Sequence, residues 1–113
     1  MVLHLEITGG AMLIRLSGEI DLAVADNLRS SMEEKLDENP EVKHIVVNLS
    51  GVSYIDSSGL GVLLGRYRRL HREGGGMSVV GASPTVRKII EMSGLLRIMK
   101  EFTSEEEAVG QAG

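Results

Sequence analysis

Residues 54–65 read YIDSSGLGVLLG and bring together an acid, two hydroxyls and a set of glycines where an apolar run gives way to a helical pattern. Ser57 and Ser58 are open to three chemistries: capping a helix start, attacking a substrate, or carrying a modification. Attack requires a base within hydrogen-bond reach of the hydroxyl. The candidates are His4, His44 and His71. His71 follows Ser58 along the same predicted helix, ~20 Å away at ~1.5 Å per residue. His44 opens the strand whose far end leads to the serines, also ~20 Å away at ~3.3 Å per residue. No triad can be assembled. The G-x-S-x-G elbow is absent, since Asp56 and Leu60 occupy the places of its glycines around Ser58. Neither of the glycine-rich phosphate loops follows a strand. No catalytic residue, metal or cofactor is expected.

Capping is the commonest use of a serine at a helix start, and one of the pair is expected to serve that way. Capping leaves the glycines unexplained, because each glycine inside a helix costs ~1 kcal/mol relative to alanine. Gly61 and Gly65, four apart, are expected to allow close packing on the sheet, and Gly59 to leave a flat surface at the exposed edge. Modification also fits: a phosphate on Ser58 would sit where helix N–H groups and the dipole favour an anion. Asp56 and Asp21 would repel it, so an added charge of about −2 would change what the edge presents to a partner.

The elements that must position these residues follow from the apolar pattern. VLHLEI (2–7) and MLIRLS (12–17) alternate around Gly9-Gly10, predicting an opening hairpin. Ala25, Leu28, Met32 and Leu36 mark an amphipathic helix over 22–38, with Asp21 as its N-cap. HIVVNL (44–49) has the β-branched run of a strand covered on both faces and should be central. Leu60, Leu63, Leu64, Tyr67 and Leu70 form the next helical stripe, leaving Arg66, Arg68, Arg69 and Arg72 for solvent, and Gly74-Gly75-Gly76 ends it. MSVVG (77–81) is a further strand. Ser83-Pro84 opens a helix that ends near Ser93-Gly94. RIMKEF suggests a short edge strand, and Ser104 with Glu107 a capping box for a last helix before a disordered-looking GQAG.

Strands alternating with helices predict an α/β fold: a mostly parallel central sheet, an N-terminal antiparallel hairpin strand and about four helices. The junctions GEID (18–21), VSYIDSSG (52–59) and GASP (81–84) are expected to converge at one sheet edge. The 113 residues, 42% hydrophobic, suit a single domain spanning 1–113. The absence of cysteine excludes disulfides and is compatible with a reducing, cytoplasmic setting. No leader pattern or membrane-length apolar run occurs. A formal charge of −4 with 3% aromatics argues against direct nucleic-acid binding.

SYIDSSGLGVLLGRYRRLHREGG, continuing through GASPTVRKIIEMSGLLRIMKEFTSEEEAV and preceded by RLSGEID, resembles the anti-sigma factor antagonists with a STAS fold over nearly the whole chain. DSSGLGVLLGRYRRL favours the sporulation type over the general-stress type, which tends to carry threonine as the second residue of the pair. The resemblance implies a non-enzymatic binding protein of a partner-switching pathway. Unmodified, such a protein binds an anti-sigma factor that is itself an ATP-using serine kinase, and so frees a sigma factor. Phosphorylation inactivates it, and a PP2C-type phosphatase restores it. The resemblance implies Ser58 as the acceptor, and a contact surface of Asp21, Asp56, Ser57, Ser58, Gly59, Leu60 and Gly61. A STAS module serving as an unphosphorylated scaffold or sensor is the alternative.

Overall fold

The computed structural model describes residues 1–112. In chain order the elements are β1 (Val2–Thr8), β2 (Ala11–Ile20), α1 (Leu22–Glu38), β3 (His44–Ile55), α2 (Ser57–Arg72), β4 (Gly76–Val80), α3 (Pro84–Ser93), a 3-10 turn (Leu95–Arg97), β5 (Lys100–Phe102) and α4 (Glu105–Gly110). The five strands lie in sequence order, β1 antiparallel to β2 and every later pair parallel. β3 is central, as its β-branched run requires.

Alternation along the strands divides the interior into two layers. Met12, Ile14 and Leu16 of β2, with Ile45, Val47 and Leu49 of β3, pack beneath α1, α2 and α3, where Leu28, Met32, Leu63, Leu70, Val86 and Ile90 complete the main core. The intervening Ala11, Leu13 and Val46 turn to the other face, where Ala108 of α4 covers them together with Val80. All four apolar positions expected of α1 are buried. Ser83 caps α3 through its side chain, and Gly94 closes it at φ +87°. At the C-terminus, Gly110 is helical and Ala112 packs against the smaller core layer, so these residues of GQAG are ordered by apolar contact; Gly113 lies outside the described residues.

Two expectations about the strands require correction. β2 runs through Gly18 and Glu19 to Ile20, and β3 through Val52 to Ile55, because parallel pairing continues to the register pair Ile20↔Ile55 across irregularities at Arg15/Ser17 and Gly18/Glu19. Much of what reads as junction is therefore strand. β4 ends at Val80, opposite Asn48. The β2–β3 pair consequently projects beyond β4 by seven residues of β3 against five of β2, ~17 Å at ~3.3 Å per residue of β2. The GASP turn is set back by that distance, against Asn48 and Ser50, and does not join the other two junctions.

Arg66 and Arg69 also depart from the solvent-facing role. Arg66 Nε lies 2.6 Å from Glu33 Oε1, while Arg69 contacts Glu33 and donates to Asp37 at 2.9 Å. These pairs clamp α1 to α2. Arg68 and Arg72 remain exposed, as expected.

Candidate functional site

The two remaining junctions meet through the backbone. The Asp56 N–H donates to the Ile20 carbonyl at 3.1 Å, which places Asp21 and Asp56 at adjacent strand ends, each just before a helix. Asp21 accepts from the Ala23 N–H at 3.1 Å and is the expected N-cap of α1. Asp56 accepts from the Ser58 and Gly59 N–H groups at 2.9 and 3.1 Å through one carboxylate oxygen.

This second cap corrects the assignment to serine. Asp56 precedes the helix in extended backbone, so its carboxylate reaches the N–H groups two and three residues on, while Ser57 and Ser58 are already helical. Neither serine hydroxyl has a hydrogen-bond partner among the described residues, and both remain available for chemistry. They differ in access. Ser57 is exposed and Ser58 half-buried.

The glycines exchange the roles expected of them. Gly59 is buried, and a Cβ there would lie 2.8 Å from the Ile20 carbonyl oxygen and 2.8 Å from Ile55 Cγ1. It is the residue that lets α2 start tightly against the β2–β3 pair, not an exposed flat surface. A Cβ at Gly61 or Gly65 would meet nothing within 4 Å, so packing on the sheet explains neither. Sequence spacing registers that these glycines share a helix but not which side of it faces the core.

Beside the exposed serine lies a shallow, largely apolar depression of about 260 Å³ lined by Ser57, Leu60, Gly61, Leu64, Ser93 and Leu95. The end of α3 and its following turn thus supply a wall that the three-junction expectation did not include. The apolar MSGLL stretch after α3 could have signalled it. Leu22 and Tyr54, neighbours in sequence of Asp21 and Asp56, are large apolar side chains left exposed. Together these residues make an edge suited to contact with a macromolecule, with hydroxyls and acids set among apolar groups.

Histidine is absent from this edge. His44 instead lies 2.8 Å from the Ser78 hydroxyl at the opposite end of β3, and burial, followed by the charge of Lys100, lowers its pKa. Ser78 is 1% exposed, so this serine–histidine contact is closed to a substrate. His71 stacks on Tyr67 far along α2, with ring centroids 5.4 Å apart. Among the described residues no cluster of acids and histidines could hold a metal, and no helix is long and apolar enough to cross a membrane.

A helix-covered sheet with a DSSG helix start at its edge defines a STAS domain, and the STAS domain profile matches residues 3–108. The chain belongs to the STAS family and, within it, to the anti-sigma factor antagonists. The anti-sigma F factor antagonist of Paenibacillus polymyxa is 40% identical over 100 residues, covering 88% of this chain and 85% of that protein. The unphosphorylated form of the anti-sigma factor antagonist SpoIIAA superimposes with a TM-score of 0.84 at 35% identity, covering 97% of this chain and 95% of that one. The phosphorylated form of the Bacillus cell fate determinant SpoIIAA gives 0.77 at 34% identity, covering 99% and 100%.

Proposed function

We propose that this protein is an anti-sigma factor antagonist of the sporulation type, acting in the cytoplasm by partner switching. In its unmodified form it binds a kinase-type anti-sigma factor and releases the sigma factor. Phosphorylation of the DSSG helix start abolishes that binding, and a PP2C-type phosphatase reverses it. The ATP site belongs to the kinase, and the protein itself is no enzyme. The kinship with anti-sigma F factor antagonists supports this reading. The observation that carries it is the Asp56 cap, which leaves both serine hydroxyls unengaged at a contact edge.

Family resemblance implies Ser58 as the acceptor, whereas exposure favours Ser57. A kinase must surround the acceptor oxygen, and Ser57 both faces solvent and lines the apolar depression. We therefore assign the phosphate to Ser57 and give Ser58 the tighter, half-buried position beneath it. At the first helical residue an added charge of about −2 would lie beside the acids of Asp21 and Asp56 and over the apolar shelf, repelling the partner while leaving the fold intact. Incubation with the cognate anti-sigma kinase and ATP, followed by phosphosite mapping on Ser57→Ala and Ser58→Ala, tests both the switch and the assignment. An unphosphorylated scaffold would take no label in any variant.

A further inference from the structure

We propose that Asn48 is a positioning residue for the serine edge: its side chain holds a bulge in β3 that sets where the strand ends, and so where the helix bearing Ser57 begins. This role rests on the reading of Ser57 as the phosphate acceptor. Asn48 itself lies ~17 Å back from the strand end, five residues of β2 at ~3.3 Å each. It acts through the backbone between.

From the pair Arg15↔Asn48 to the pair Ile20↔Ile55, β2 advances five residues and β3 seven. Two residues of β3 are therefore extra: Leu49 and Ser50 together oppose Leu16, and Ser53 has no partner between Val52 and Tyr54. A bulge of this kind re-aims the side chains that follow it. Strict alternation would bury every second residue. Instead Leu49, Val52 and Ile55, three apart, all enter the main core, while Ser50 with Gly51 and Ser53 with Tyr54 are exposed between them. Without the two insertions Ser53 would stand opposite Ile20, and Asp56, whose N–H now meets the Ile20 carbonyl, would overrun it by two residues. The bulges thus bring the Asp56 cap and its serines level with Asp21.

The first bulge lies where β4 has left the sheet, and the half-buried Asn48 amide binds it at both ends. Its Oδ1 accepts from the Ser50 N–H at 2.9 Å and from the Ser50 hydroxyl. Its Nδ2 donates to Glu105 of α4 at 2.6 Å. Glu105 is fixed in turn by Arg15, the residue that faces Asn48 across the ladder. A closed loop of bonds therefore joins β2, α4 and β3 around the bulge. Two glycines give it room: a Cβ at Gly51 would lie 2.8 Å from Ser17 Cβ, and one at Gly81, where φ is +75°, would lie 3.0 Å from Ser50 Cβ and 3.3 Å from Asn48 Oδ1.

Labelling by the cognate anti-sigma kinase and ATP, together with amide NMR spectra, tests this role well below the melting temperature of every variant. Asn48→Ala is expected to displace the amide shifts of Ser58 and Gly59, the two donors to Asp56, and to lower kcat/KM for labelling on the order of tenfold to hundredfold, the cost of misplacing a reacting group by about 1 Å. Asn48→Asp keeps the acceptor for Ser50 but sets carboxylate against carboxylate at Glu105, so it should fare as badly. Adding Glu105→Gln to Asn48→Asp restores a donor to an acceptor and should recover both readouts. Ile7→Ala, on the far edge strand, lowers stability without touching the bulge and should label like the wild type. Unmoved Ser58 and Gly59 shifts in Asn48→Ala overturn the proposal, as does a double variant that recovers nothing or an Ile7→Ala that labels as poorly as Asn48→Ala. A wild type that takes no label, with those shifts displaced in Asn48→Ala and recovered in the double variant, would sink the acceptor reading and leave Asn48 as the residue that places the helix start.

Discussion

Asp56 and Ile20, thirty-six positions apart in the chain, share a 3.1 Å backbone hydrogen bond that holds the two acid-led helix starts side by side. Asp21 and Asp56 can therefore act on a partner as one surface while each performs a separate local task as an N-cap. The two tasks are separable by substitution. Asparagine caps nearly as well as aspartate, whereas alanine costs ~1 kcal/mol. Asp21→Asn is expected to melt like the wild type and to bind the anti-sigma kinase more weakly, because the charge alone is lost. Calorimetric titration checks this; native affinity would confine Asp21 to capping.

The glycines make an opposed pair of predictions. Gly59→Ala places a methyl 2.8 Å from a backbone carbonyl oxygen that cannot move without shifting β2, so we expect destabilisation of ~1–3 kcal/mol, as for overpacking in a core. Gly61→Ala enters open space and removes a helix glycine, so it should stabilise by up to ~1 kcal/mol. Denaturant midpoints decide the signs. Gly61→Ala should also weaken anti-sigma binding, since the added methyl stands in the depression beside Ser57.

For the serines, phosphate transfer should survive Ser58→Ala and vanish in Ser57→Ala. Mass spectrometry of the kinase reaction reads this directly. Retention of label in Ser57→Ala with loss in Ser58→Ala would return the acceptor to the position implied by family resemblance.

Glu105 ties α4 to the sheet. It accepts from Arg15 at 2.8 Å through both carboxylate oxygens and from Asn48 at 2.6 Å, and these bonds, the one to Arg15 foremost, hold its pKa at about 2 against an ordinary 4.5. A carboxylate with a depressed folded-state pKa contributes stability that is fully present above about 4.5 and is lost as pH falls toward about 2. Discounted for screening at a partly exposed site, that contribution is ~1–2 kcal/mol. Glu105→Gln should lose it at neutral pH and show a flatter stability profile across that interval. Chemical denaturation at a series of pH values measures both.

Much of this architecture was legible in the sequence because it rests on local rules. The spacing of Ala25, Leu28, Met32 and Leu36 gave α1 its buried face, Ser83-Pro84 gave α3 its start, and the β-branched HIVVNL run gave the central strand. What escaped prediction depends on contacts between distant segments. Parallel pairing with Ile20 turns Val52–Ile55 from junction into strand. Glu33 draws Arg66 and Arg69 out of solvent, although nothing near any of them in sequence announces it. Choosing among Asp56, Ser57 and Ser58 as the cap required knowing the residue at which helical backbone begins, and element boundaries are the least determined part of a sequence pattern. The glycine reversal has the same origin: one residue of helical phase, about 100°, separates a packed position from an open one.

The overhang of β2 and β3 past β4 has a dynamic consequence. From Gly51 to Ile55 the central strand has only one strand neighbour, and the irregularities at Arg15/Ser17 and Gly18/Glu19 interrupt the ladder that joins them. The serine-bearing helix is therefore carried on a two-stranded tongue whose root is locked into the sheet on both sides and whose tip has one strand neighbour only. Amide protons in Val52–Ile55 should exchange through local openings well below the global unfolding free energy, while those of Ile45–Val47 wait for the whole molecule to unfold. The fold can thus present a stiff foundation and a compliant docking tip in one continuous strand.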